Sequence, residues 1–255
     1  MNRAKNIRRS IVILVIAVVV IAGAVLVLNL DRIVKTGVDT YGPKMTGVTV
    51  TVDAVHIGLL TASANIKDLV VGNPQGYQAP QAISIGAISA GIDPTTVFSP
   101  KIRIRFIKIE APEITFEGGL GGNNLAAILN NVNGSEASGG PTVTNAVGQP
   151  KPAKKYEVDD LLISGAKVNG TIRLFGGKEI SIPDLSVPEI HLTDLGQGTG
   201  GITMTDLTRR ILQAITTSTI KTVATEAANV GSGGENLGKQ GINSVKKAFS
   251  NLLGK

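Results

Sequence analysis

Chemistry needs polar side chains gathered at useful spacing, and this chain offers few. Its two histidines are His56, at the end of an alternating segment, and His191, in a proline-flanked one. Neither has a partner at close spacing. A zinc site needs three or four ligands in recognisable groups, and with no cysteine present two separate histidines do not supply one. Asp159-Asp160 opens a strand-like stretch and reads as a solvated edge before it reads as an acid/base pair. Neither G-x-S-x-G nor GxxxxGK[ST] occurs. Gly118 to Gly122, GGLGG, precedes an Asn-Leu stretch but lacks the lysine of a phosphate loop, so it is taken as a strand-to-helix turn. The expectation is no enzyme, no catalytic residue, no metal and no cofactor.

The element that positions everything else is Ile11 to Leu30, IVILVIAVVVIAGAVLVLNL, which carries no charge. About 20 apolar residues in a helix match the ~30 Å hydrocarbon layer of a bilayer. Ala22-Gly23-Ala24 resembles a signal-peptidase site, but the apolar run continues past it to Leu30, longer than the ~7–15 residues of a signal peptide. Arg3, Lys5, Arg8 and Arg9 precede the run without an acid, and Asp31 and Asp39 follow it among Arg32, Lys35 and Lys44. The positive-inside rule then sets the N-terminus in the cytoplasm and the body beyond. The expectation is a single-pass protein of a bacterial inner membrane with a periplasmic body.

Composition limits the body further. The net charge of +6 is concentrated in the N-terminal tag. Aromatic residues make up 3% and tryptophan is absent, which argues against a base-stacking surface and against a nucleic-acid partner. Without cysteine the body must hold together by packing alone.

Asp31 to Tyr41 places Ile33, Val34, Val38 and Tyr41 at helical spacing, and Gly42-Pro43 is expected to end that helix. Gly47 to Gly58 then alternates Val48, Val50 and Val52 against Thr49, Thr51 and Asp53, a half-buried strand, with Thr61 to Asn73 as its hairpin partner. Ala82 to Ile92 alternates again. In Lys101 to Glu117, Ile102, Ile104 and Phe106 share one face while Ile107 and Ile109 take the other parity, which predicts a bulge near Phe106-Ile107. Pro112 breaks this strand. Asn123 to Val132 is a helix capped by Asn123 or Asn124, with Leu125, Ile128 and Leu129 as its apolar stripe. Residues 134–154 form a Gly/Ser/Pro-rich linker. Lys155 to Ile172 is a worn echo of Lys101 to Phe116. Past Gly201 two amphipathic helices follow, one to about Asn229 and one over Leu237 to Leu253.

The predicted organisation is a basic tail (1–10), a transmembrane helix (11–30), a β-rich module (31–133), the linker (134–154), a second β segment completing the sheet (155–201) and C-terminal helices (202–255). The fold class is α+β, a curved, groove-like antiparallel sheet behind one membrane helix.

The series Leu69, Asn73, Pro74, Gly76, Tyr77, Asp93, Ile104, Ile107, Ile109, Pro112, Ile114, Asn124 and Leu125 resembles the N-terminal module of the AsmA-like family. The likeness covers Ile11 to Val132, and the chain is short beside better-known members. It implies a twisted sheet curled into a groove with an apolar inner face, and a role in envelope biogenesis by binding or passing membrane lipid. The groove candidates are Ile83, Ile85, Ile102, Ile104 and Ile114, which must then stay unfilled. The alternative is a membrane-anchored scaffold in which Leu207, Ile211, Ile215, Ile220 and Val223 form an interface to an envelope protein or a second copy of the chain.

Overall fold

The computed structural model describes residues 29–58, 61–119, 122–137, 154–173, 179–198 and 200–230. Most of the Ile11–Leu30 run, most of the linker and the Leu237–Leu253 segment lie outside these residues. Among the described residues no helix is long and apolar enough to cross a membrane.

The chain begins with helix α1 (Leu30–Thr46), followed by strands β1 (Val50–Gly58), β2 (Ser63–Gly72) and β3 (Gln81–Ile92). A short 3-10 turn, Pro94–Thr96, leads to β4 (Lys101–Glu110), β5 (Glu113–Gly119), a two-residue β6 (Gly122–Asn123) and helix α2 (Asn124–Ala137). The second half contributes β7 (Lys155–Ser164), β8 (Lys167–Arg173), β9 (Glu179–Ser186), β10 (Ile190–Leu195) and helix α3 (Met204–Val230).

All ten strands join one mixed sheet that curls into a half-barrel. β1, β2 and β3 form an antiparallel meander, as their alternation predicts. β4 and β5 act as one long strand interrupted at Ala111-Pro112, where Ala111 takes a φ of 46°. Its first part pairs with the upper half of β3, and its second with Ile83 and Ser84 lower down. β7 and β8 are a second interrupted strand beside the first, but parallel to it, which corrects the expected purely antiparallel sheet. Lys101 lies beside Lys155 and Gly118 beside Ile172, with a constant offset between them. The ladder runs through both interruptions, Ala111 N–H donating to Ser164 O (2.8 Å) and Lys167 N–H to Pro112 O (2.9 Å). The faint internal echo is thus a pair of copies laid side by side in register.

The bulge lies one residue earlier than its parity change suggests. Gly91 opposes Phe106 and Ile92 opposes Ile104, so Arg105 is the extra residue. It lets both Ile104 and Ile107 turn inward, and β7 repeats the change of step with Val158 and Leu161 inward.

Helix α1 does not stop at Gly42-Pro43. It runs through to Thr46 and ends at Gly47 in the left-handed conformation. Pro43 sits in the last turn, and the Thr46 hydroxyl donates to Gly42 O at 2.9 Å. Gly42 serves close packing here: a Cβ there would come within 2.7 Å of Val50 Cβ. The polar side chains of α1 finish the sheet edge. Asp39 Oδ1 accepts from Val52 N–H (3.1 Å), Asp31 Oδ1 accepts from Ile57 N–H (2.7 Å), and Lys35 donates to Val52 O. These groups would otherwise offer β1 to another strand.

Candidate functional site

The half-barrel has an apolar trough, and two helices occupy it. On the sheet side Ile83, Ile85, Ile104 and Ile114 are buried, and Ile102 is half-buried. On the helix side Leu207, Ile215, Ile220 and Val223 are buried and Ile211 is half-buried. Apart from Ile102, these belong to one continuous cluster, joined by Leu125, Ile128, Leu129 and Val132 of α2. The residues predicted to meet a lipid and those predicted to meet a partner therefore belong to the same core. Neither set is exposed: α3 packs on β7 to β10, and α2 packs on β5 and against α3.

The fit is not wholly apolar. Thr216 and Thr219 of α3 are buried with the apolar stripe, and Thr219 Oγ1 has no hydrogen-bond partner among the described residues. Between Met204 and Ala227 nearly every other position is at least half-buried, as a helix lying in a curved sheet requires.

A second constellation joins several of the motif residues. Fully buried Asn124 opens α2 and uses its whole side chain: Nδ2 donates to Asn73 Oδ1 (2.8 Å) and Thr115 O (2.7 Å), and Oδ1 accepts from Glu117 N–H (3.0 Å). Its neighbour Asn123 supplies the helix cap, accepting from Ala126 N–H at 2.9 Å. Glu117 closes the loop after β2. Its carboxylate accepts from Gln78 N–H (2.7 Å), Ala79 N–H (2.5 Å) and Asn73 Nδ2 (3.1 Å). Burial and the neighbouring Glu117 charge together push the Tyr77 hydroxyl above its usual range, burial being the larger cause. The Asn-Pro-x-Gly-Tyr turn and the Asn-Leu helix start are thus two parts of one polar clamp. Glu117 was not singled out from the sequence, because a carboxylate at the outward parity of a strand end looks solvated.

Beside this clamp lies a cleft of about 440 Å³ between β5, β8 and β9, lined by Thr115, Glu117, Asn169, Thr171 and Asp184 among others. Its carboxylates are already engaged, Glu117 as above and Asp184 by Asn169 Nδ2 at 3.2 Å.

The residues that first suggested chemistry are dispersed. His56 lies 3.5 Å from Asp31 on the α1–β1 edge, and His191 lies 2.5 Å from Asp160 across β10 and β7, both pairs well exposed. Asp159 instead pairs with Arg103 at 3.0 Å, and Glu157 with Lys101. These pairs tie β4 to β7 and β7 to β10. Among the described residues no three His, Cys, Asp or Glu side chains gather where they could hold a metal ion. Of GGLGG, Leu120 and Gly121 lie outside the described residues, and Gly118, Gly119 and Gly122 belong to the β5–β6 hairpin.

No family model, curated protein or solved structure matches the chain. Of the residues in the sequence motif, the structure brings Asn73, Tyr77 and Asn124 together around Glu117.

Proposed function

We infer that the protein is a membrane-tethered structural module of the cell envelope, its apolar run Ile11–Leu30 serving as tether and its half-barrel as a rigid exported body. The single observation behind this reading is the occupied trough. Burying Leu207, Ile215, Ile220 and Val223 is worth about 1.5–3 kcal/mol for each side chain. Lifting α3 into water would forfeit that sum. An acyl chain entering the trough gains ~0.8 kcal/mol per methylene only if it comes from water, and a bilayer lipid is already out of water. At equilibrium the helix wins. Three hydrogen bonds from Asp31, Lys35 and Asp39 fix α1 to β1, so the helix and the sheet move as one body.

A second reading is supported by the unpartnered Thr219 hydroxyl. In it α3 is an imperfect plug that yields the trough to a lipid, as the AsmA-like resemblance implies. One experiment separates the two. The full chain is reconstituted in vesicles containing a phospholipid with a photoreactive acyl chain, illuminated, and mapped by peptide mass spectrometry. The structural reading expects no label on the trough residues of β3 and β5. Labels on Ile83, Ile85 or Ile114 overturn it and favour lipid carriage.

A further inference from the structure

Among the described residues four large apolar side chains stand exposed: Ile33, Val97, Phe98 and Met204. Phe98 is the extreme case, at 94% exposure in the loop between β3 and β4. That loop is tightly built. Asp93 accepts from Thr95 N–H (3.0 Å) and from its hydroxyl (2.7 Å) to start the 3-10 turn. Ser99 N–H closes onto Thr96 O at 2.9 Å, and Arg103 N–H onto the Thr96 hydroxyl at 3.0 Å. Lys154 Nζ then donates to the carbonyls on either side of Phe98, Val97 O (3.2 Å) and Ser99 O (2.6 Å). The framework holds the ring outward.

The position of the loop gives that ring a destination. Ile92 N–H donates to Ala62 O (2.8 Å), joining the end of β3 to the β1–β2 turn. On the far side of that turn, Ile57 is held by Asp31 in the first turn of α1. Two residues on, Ile33 is 53% exposed. The start of α1 and the Phe98 loop therefore lie at the same end of the β1–β2–β3 meander. The apolar run of the sequence ends where α1 begins. Three of the four exposed apolar groups therefore cluster at the end to which that run leads.

We propose that the Val97-Phe98 tip, with Ile33, is a second and shallow membrane contact that fixes how the body sits on the lipid surface. Phe98 enters the acyl boundary while the Lys154 ammonium stays at headgroup level. This rests on the tether reading above. The chain contains no tryptophan, so Phe98→Trp is a sole reporter, and Gln75→Trp, on the exposed loop at the opposite end of β2 and β3, is its control. Each full-length variant is reconstituted in phosphatidylethanolamine/phosphatidylglycerol vesicles, floated after an alkaline wash, and read by fluorescence with brominated-chain lipids. The expected result is flotation of both, with a blue-shifted emission quenched severalfold at position 98 and a red, unquenched one at position 75. Flotation with an unquenched position 98, whether red or blue-shifted, overturns the proposal and leaves the tether standing. Equal quenching at both positions also overturns it. Failure to float overturns the tether and the contact together.

Discussion

Replacing Asn124 by alanine tests whether the polar clamp holds the first half of the body together. The substitution removes three hydrogen bonds and strands the Glu117 N–H, the Thr115 carbonyl and Asn73 Oδ1 around a cavity no larger than an amide. A buried polar group left without a partner costs about 1–3 kcal/mol. Glu117, Thr115 and Asn73 are half-buried and regain some water, so the low end applies to each. The total is about 3 kcal/mol, or roughly 6–12 °C in Tm for a body of this size. Urea unfolding of the full chain in mild detergent, followed by circular dichroism, measures it by linear extrapolation. Asn73→Ala should cost less than Asn124→Ala, and the double mutant less than the sum, because the two side chains share a bond. Asn124→Asp is the sharper variant. It keeps the acceptor for Glu117 N–H but turns a carboxylate toward Asn73 Oδ1 and the Thr115 carbonyl, with the Glu117 charge nearby. Its pKa is therefore raised in the folded state, so its destabilisation shrinks on acidification. A loss below ~0.5 kcal/mol for Asn124→Ala, in the range of ordinary surface changes, would refute the clamp as a stabilising unit. So would an Asn124→Asp protein as stable as the parent at neutral pH.

Thr219→Val exchanges an unpartnered buried hydroxyl for a methyl of like shape and should raise stability by about 1 kcal/mol in the same urea assay. Gly170→Ala should cost about 2–6 kcal/mol, the sum of backbone strain and overpacking, since its φ is +131° and a Cβ would lie 2.1 Å from Phe116 O across the β5–β8 ladder; Gly86→Ala, with open space around it, is the control. Burial raises the hydroxyl pKa of Tyr156, so the stability tied to that shift is present below the usual tyrosine pKa and is lost as pH rises through the folded-state value; Tyr156→Phe should move the alkaline unfolding midpoint upward, read by circular dichroism against pH.

Local periodicity made much of the fold legible. The Val48–Val50–Val52 alternation gave β1, the parity change in Lys101 to Glu117 gave the bulge to within a residue, and Asn123 was one of two caps named for α2. Pairing was less accessible, because alternation says which face is apolar but not which strand lies alongside. The parallel placement of β7 against β4 was visible only as a faint likeness between two segments. The same ambiguity split one core into two rival sites: an apolar stripe on a helix and an apolar face on a sheet each demand a partner without naming it. In sequence Asp31, Lys35 and Asp39 read as flanking charges of a membrane span, and Val52 and Ile57 show that they also satisfy the backbone of an edge strand. Glu117 carried no local signal, since the loop it closes lies 38 and 39 residues away in sequence.

The parallel seam between the two interrupted strands also bears on the order in which the molecule assembles. β1 to β4 form a meander of near neighbours, whereas β7 and β8 pair with β4 and β5 from far along the chain, beyond α2. Contacts between distant segments form late, because the closure entropy comes before any pairing. A chain emerging from its N-terminus therefore completes the first half with one flank of β4 and β5 still unpaired. That flank is the template that fixes the register of the second half, and until it is taken it is also the surface most open to pairing with the wrong chain.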